Sequence, residues 1–440
     1  MQWKNLLSTR KFKVEDGLVS DYRSRNQGSN QSRSEYLQDH DRVVFSRAFR
    51  RLGRKTQVHP LAQNDHVHNR LTHSVEVAAV GRSIGIKVGE ALKARGALPE
   101  AFTPYDIGAI VQVACLAHDI GNPPFGHTGE DALREWFRQP ENASYLDGLH
   151  AAEVCDLQTY EGNAHALRIV CTTEMYTGMG GMRLSCASIG ALLKYPWTSD
   201  QSGPKGKFNI YQSELPYFKA VAGELGLKAL EADRRWARHP LSYLMEAADD
   251  ICYSVLDLED AVEMGILSTA EFEERLQAYQ PRLGSYPMEP RQRCATLRSV
   301  FIGDCVEYAS QEFMRNHDAI MAGDYAQADF FQNSSADCAL ALKAAKQLAG
   351  ERIYTHPSKI KQEIAAYPCL HHLLSMFIPA IDGFHRGQAL SERQKRVLRL
   401  LDKPPRTGGS KYHAFLEVLD FIGGMTDNYA LALARETSGF

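Results

Sequence analysis

The 440-residue sequence has no unbroken run approaching the roughly 20 apolar residues that cross a bilayer, so no membrane association is expected. Its first residues, MQWKNLLSTRKFK, lack the apolar centre and small-residue cleavage site of a secretory signal. The nine cysteines stand singly with no CxxC pair, which argues against both a secreted disulfide framework and a thiolate-ligated zinc site. Alternating β-type runs are scarce, with one short candidate at 208–212 (FNIYQ), and there are no internal repeats or long low-complexity tracts. These absences leave a cytoplasmic, helical chain as the natural expectation.

Charge is sparse in sum but uneven in place. The net charge is -3, whereas residues 1–55 hold 13 Lys/Arg against 6 Asp/Glu. A basic start suggests contact with phosphates, of a small ligand or a nucleic-acid strand. Residues 20–38 are polar and rich in Gly, Ser and Asn, so 1–38 reads as a basic, partly flexible arm. From residue 39 the apolar period is helical almost throughout, predicting an all-α fold. The windows include 39–52, 72–95, 106–119, 129–138, 162–175, 240–263, 290–319, 325–348, 358–378 and 410–435. A Pro/Gly-rich loop at 280–289 marks off a catalytic core, 39–280, from a C-terminal helical region, 281–440, expected to pack on the core as one continuous globule and to make oligomer contacts.

Three of these helices carry an ionisable residue where an apolar one belongs. His73 shares a face with Val77, Val80 and Ile84; His118 follows Val111, Ala114 and Cys115; Asp249 is flanked by Met245, Cys252 and Leu256. A carboxylate on an apolar stripe is costly to bury unless its charge is compensated, and a metal would do that. Asp119 follows His118 where Gly121-Asn122-Pro123-Pro124 must end the helix, turning both side chains toward a pocket. Two imidazoles and two carboxylates suit an octahedral first-row divalent ion with about two positions open. In the Asp249-Asp250 pair the first is the better ligand, because the neighbours of Asp250 are Glu246, Tyr253 and Asp257. Each piece alone has a plainer reading, a hydrogen-bonded core histidine or a salt-bridged carboxylate. Their combination points to a metal.

The order His73, His118-Asp119, Asp249 resembles the HD superfamily of helical, metal-dependent phosphohydrolases. The segments RAFRRLGRKTQVHPL (47–61), NRLTHSVEVAAVGRSIG (69–85), LAHDIGNPPFGHTGE (116–130), YEGNAHALRI (160–169) and MEAADDICYSVLDLEDAV (245–262) are similar to the deoxyguanosine triphosphate triphosphohydrolase family. YTHPSKIKQEIAAY (354–367) and FIGGMTDNYAL (421–431) resemble it more loosely. The resemblance implies an HD-domain helical fold with additional C-terminal helices. It also implies one divalent ion per active site (Mn, Mg, Co or Fe) on His73, His118, Asp119 and Asp249. The expected reaction converts a deoxynucleoside triphosphate (dNTP) to deoxynucleoside and tripolyphosphate. A homo-oligomer, hexamers included, and a nucleotide or single-stranded DNA effector are further implications.

The same resemblance assigns catalysis to His127 and Glu130, with His127 donating a proton to a phosphate ester oxygen and Glu130 orienting its ring. Thr128, spaced from Asp131 as in a capping box, is the expected cap of their helix. Arg70, one turn before His73, is expected to grip phosphate with its planar fork. Tyr253 and Asp257 follow Asp249 along one helical line, Tyr253 to pack on the sugar and Asp257 to accept from its 3′-hydroxyl. Gln57 is implied at the same hydroxyl and Val58 where a 2′-hydroxyl would project. Asn163, Lys194 and Tyr195 match further nucleotide-binding positions, and His66 and His68 are candidate phosphate contacts. Two rivals stand beside this reading: another HD-type nucleotide phosphohydrolase, and a nucleotide- or DNA-binding regulator with low activity. Two-metal HD phosphodiesterases need further histidines that are not convincingly spaced here.

Overall fold

Side-chain caps decide where the key helices begin. Asn69 accepts from the amides of Leu71 and Thr72 and starts helix α1 (Arg70–Ala94); Thr103 and Asp106 close a capping box that starts α2 (Pro104–Ala117). The other long helices, numbered in chain order, are α3 (Gly126–Arg138), α4 (Pro240–Glu263), α5 (Pro290–Arg315), α6 (Asp337–Leu348), α7 (Pro357–His385), α8 (Lys411–Gly423) and α9 (Asp427–Ser438). The computed structural model describes residues 1–440 except 16, 23–33, 59–66, 177–178, 232, 285–286 and 440. The fold is all-α, 66% helical with two small two-stranded sheets.

α1 and α2 form an antiparallel pair that α4 and α5 cover. Their approach is set by small residues on one stripe of α1. A Cβ on Gly81 would lie 2.5 Å from Cys115 Sγ, one on Gly85 2.9 Å from Gly108 Cα, and one on Gly89 2.6 Å from Pro104 Cα. This spacing holds His73, near the start of α1, opposite His118, at the end of α2. Gly85→Ala is therefore expected to spread the pair, costing about 1–3 kcal/mol as overpacking and weakening metal retention. Urea denaturation and metal analysis check it; an unchanged midpoint would show that the helices separate freely.

The buried apolar residues form two large clusters. The first joins the N-terminal segment, α1, α2, α4, α5 and α6; the second joins α3, α7, α8 and α9. These clusters cross the 280–289 loop: α3 packs with the C-terminal helices, and α5 and α6 pack with the first core. α7 is the stretch closest in composition to a membrane span. Leu370, Leu373, Leu374, Phe377, Ile378 and Ile381 of α7 are buried in the second core.

Of the 1–38 segment, 16 and 23–33 lie outside the described residues; in the rest, Lys11–Glu15 (β1) pairs antiparallel with Leu18–Tyr22 (β2), and Trp3, Leu6, Leu7 and Phe12 join the first core. Lys11 is buried between Asp39 (3.0 Å) and Glu35 (2.9 Å). The 208–212 run forms only an isolated bridge, Thr198 to Ile210, while the second hairpin lies at Ala229–Glu231 (β3) and Arg235–Trp236 (β4). The 410–435 window breaks at Gly424–Thr426, where Thr426 caps α9 by accepting from the Tyr429 amide. A helix at Ala151–Gln158 was not anticipated. Thr128 is not a cap: α3 begins earlier, after Phe125, which takes the left-handed conformation (φ 64°) and makes no side-chain cap bond.

Candidate metal centre and its cleft

Two helix ends and the middle of α4 bring the ionisable residues together. His73 Nε2 lies 3.2 Å and His118 Nε2 3.5 Å from Asp249 Oδ1, and the three offer ligand atoms within 4.8 Å of one another. His118 closes α2 as its C-cap, and its Nδ1 sits 2.6 Å from the Cys115 carbonyl oxygen. A carbonyl only accepts, so Nδ1 carries the hydrogen and Nε2 keeps its lone pair for a ligand bond. Asp119 stands beside this trio, its Oδ1 3.5 Å from His118 Nε2. Two imidazole nitrogens and carboxylate oxygens at this spacing, without a thiolate, fit a divalent cation of the borderline or hard class.

Positive neighbours keep both carboxylates charged. Burial alone would raise the carboxyl of Asp249, but Lys194, whose Nζ donates to Oδ2 at 2.7 Å, outweighs it and holds the group well below the usual range. Burial likewise opposes ionisation of Asp119, and Arg70, donating to Oδ2 at 2.6 Å, outweighs it. Asn122 donates to the other oxygen of Asp119 at 2.5 Å. Asp250 points elsewhere, to Lys346 Nζ at 2.6 Å, and burial pushes its carboxyl up to about 6.

Beside the trio, past Arg70, opens a small cleft of about 80 Å³. Of the residues singled out in the sequence, Gln57, Val58, Arg70, His127, Thr128 and Tyr253 line it. Gln57 Oε1 and Arg70 Nε are buried with no partner among the described residues. The His127 side chain is 77% exposed, and its Nδ1 lies 3.2 Å from Glu130 Oε2, deep beneath it. Glu130 also accepts from the Gly162 amide (2.8 Å) and from Arg134 (3.2 Å). Against its burial, His127, Lys207 and Arg134 hold its carboxyl below the ordinary value. The proton on the His127–Glu130 contact therefore sits on the ring nitrogen.

The remaining assignments fall differently. Asp257 does not line the cleft; it is buried, burial pushes it up to about 7, and Tyr354 donates to it at 2.5 Å. Tyr354 itself lines the wall, its ring stacked 6.1 Å from Tyr253. Lys194 meets Asp249 rather than the cleft. Asn163 donates to Glu161 at 2.7 Å and Tyr195 packs on Trp197, so both lie outside the lining. Lys207 bridges Glu161 (3.0 Å) toward Glu130 (3.6 Å). His68 is no free phosphate contact: Asp260 (2.6 Å) and Glu76 (3.2 Å) take both ring nitrogens and, against burial, push its pKa up to about 10. His66 lies outside the described residues. The sequence reading missed Tyr354 and, on α7, Lys359, Gln362 and Glu363. Their signal was YTHPSKIKQEIAAY, a polar stretch opening an otherwise apolar helix.

Comparison with known proteins places this geometry. The HD domain family model matches residues 70–173, which include Arg70, His73, His118, Asp119, His127 and Glu130. A deoxyguanosinetriphosphate triphosphohydrolase-like protein of Pseudomonas aeruginosa is 47% identical over 92% of this chain and 94% of its own length. A protein of the same name from Synechocystis sp. is 34% identical over 100% of this chain and 99% of its own. The deoxyguanosinetriphosphate triphosphohydrolase of Yersinia pestis is 31% identical over 89% of this chain and 91% of its own.

Proposed function

Because this chain belongs to the deoxyguanosinetriphosphate triphosphohydrolase family of HD-domain hydrolases, we propose that it cleaves a dGTP-like dNTP into deoxynucleoside and tripolyphosphate. The observation that carries this reading is that the Asp119–Arg70 pair joins the His73–His118–Asp249 trio to a cleft lined by Arg70 and the exposed His127. A divalent ion (Mn, Mg, Co or Fe) held by His73, His118, Asp119 and Asp249, one per site, would supply positive charge against phosphate and lower the pKa of a water. Arg70, fixed by Asp119 through one nitrogen, offers its remaining donors to the α-phosphate. His127, oriented by Glu130, delivers a proton to the departing 5′-oxygen. Tyr253 and Tyr354 face the sugar, Gln57 offers it a polar contact, and Val58 disfavours a 2′-hydroxyl by leaving it unpaired. Asn163, Lys194, Tyr195 and Asp257 support these groups from behind.

The same reading carries a homo-oligomer, hexamers included, in the cytoplasm, with a nucleotide or single-stranded DNA as effector. The exposed Ile360 and Ile364 on α7 and Tyr429 on α9 support contacts between copies.

The test is the bond broken. A sugar held beside Tyr253, one turn from Asp249, sets the α-phosphate next to the trio rather than the γ-phosphate. A panel of dNTPs and NTPs with Mg, Mn or Co in oxygen-18 water is expected to yield deoxynucleoside and labelled tripolyphosphate. No label should enter the 5′-hydroxyl, and dNTPs should be preferred by about 10–200-fold. Orthophosphate or pyrophosphate as first product would overturn the mechanism, and equal hydrolysis of GTP and dGTP would overturn the roles of Gln57 and Val58.

A further inference from the structure

The sequence around residue 427, GGMTDNYA, breaks the last helical window and plants a carboxylate in the first turn of α9. Asp427 is almost completely buried. Its two oxygens divide between two distant segments. Oδ2 accepts from the Thr56 amide at 2.9 Å and from the Thr56 hydroxyl at 2.5 Å. Oδ1 accepts from the Phe125 amide at 3.0 Å. Thr56 precedes Gln57 and Val58; Phe125 precedes the turn that carries His127.

Phe125 has φ 64°, a conformation that costs a non-glycine residue of the order of 1 kcal/mol and persists only where its surroundings over-determine it. The buried carboxylate supplies that determination. A second bond crosses at the same junction: Lys55 Nζ donates to the carbonyls of Gly423 (2.7 Å) and Asn122 (2.5 Å). The start of α9 thus holds the 55–58 segment and the 122–127 segment in mutual register, and neither contact involves a metal-ligating side chain.

We propose that Asp427 is a positioning residue: it sets the Gln57–Val58 wall against the His127 turn, and so governs sugar recognition from the C-terminal helices. This rests on the proposed hydrolysis of a dNTP, but its structural half can be read without it. Asp427→Asn keeps one oxygen for the Phe125 amide and puts an NH₂ group at Thr56, where two donors then face a third. Thr56→Val removes the hydroxyl bond alone at nearly constant shape.

The experiment compares wild type, D427N and T56V by hydrogen exchange, metal content and steady-state kinetics. Peptides covering 55–58 and 122–128 are expected to exchange faster in D427N, while peptides of α1, α2 and α4 and the bound metal stay unchanged. For whichever nucleotide wild type turns over, kcat/KM should fall on the order of a hundredfold in D427N, mostly through KM. The deoxy-to-ribo preference should shrink, with T56V shifting both less. A residue that only helped the chain fold would lower the active fraction and leave KM and the preference unmoved. That result, or unchanged exchange at both segments, overturns the proposal; wild-type products other than tripolyphosphate would instead overturn the hydrolysis reading and leave the exchange arm to decide this one.

Discussion

Asp249→Ala is expected to release the metal and reduce hydrolysis by at least roughly a thousandfold, whereas Asp250→Ala keeps the metal and most of the activity. Asp249 faces His73 and His118, while its neighbour faces Lys346 across the surface. Removing the first carboxylate leaves two imidazoles and Asp119, already paired with Arg70, beside the unpartnered ammonium of Lys194, a set too positive to hold a cation. The loss expected of rate follows from several kcal/mol of transition-state charge stabilisation, at about 1.4 kcal/mol per factor of ten. Asp250→Ala only frees a half-exposed lysine, for which the measured worth of an ion pair is about 0–1 kcal/mol. Metal analysis of the two purified variants, with turnover of a dNTP, decides the matter. Equal metal loss in both would show that the pair is not divided between a ligand and a surface partner.

His127→Ala is expected to lower kcat by about 10²–10⁴-fold, the range for loss of a positioned proton donor, with metal content unchanged. The side chain is exposed, so its removal costs the fold little. Glu130→Gln is the companion variant. It preserves shape where Glu130→Ala would leave Arg134 and Lys207 beside an empty buried site, destabilising the chain by roughly 3–5 kcal/mol as a broken buried pair does. The glutamine variant should keep its melting temperature near wild type and still turn over slowly, because an amide cannot orient the ring as a carboxylate does. If His127→Ala retains wild-type kcat at saturating substrate, proton delivery to the leaving oxygen falls to another group.

What could be read from sequence followed the range of the forces involved. The stripes bearing His73, His118 and Asp249 were legible because helical periodicity is local and an ionisable residue on an apolar face is conspicuous. The starts of α1 and α2 lie two residues before the 72–95 and 106–119 windows, because periodicity does not register the caps Asn69 and Thr103. The start of α3 was not legible: Asp427, some three hundred positions away, fixes Phe125 in a turn that no neighbouring residue announces. Asp257 was read correctly as lying in line with Tyr253, yet Tyr354 claims its carboxylate, a partner that only tertiary packing supplies. Lys359, Gln362 and Glu363 have the spacing of a solvated helix face and instead line the cleft, because α7 lies against α3. The N-terminal hairpin escaped notice although Lys11–Glu15 alternates charged and apolar residues, because the run is only five residues long and its partner, Leu18–Tyr22, does not alternate.

The close pairing of α1 with α2 has a genetic consequence. Gly81, Gly85 and Gly89 touch no ligand, and Gly89 stands about 24 Å along α1 from His73 at about 1.5 Å per residue. Every missense change of a glycine codon introduces a larger side chain, and each of these three has no room for even a methyl group. The mutational target for inactivating alleles therefore extends well beyond the residues that do chemistry, along a stripe whose contribution is the absence of atoms.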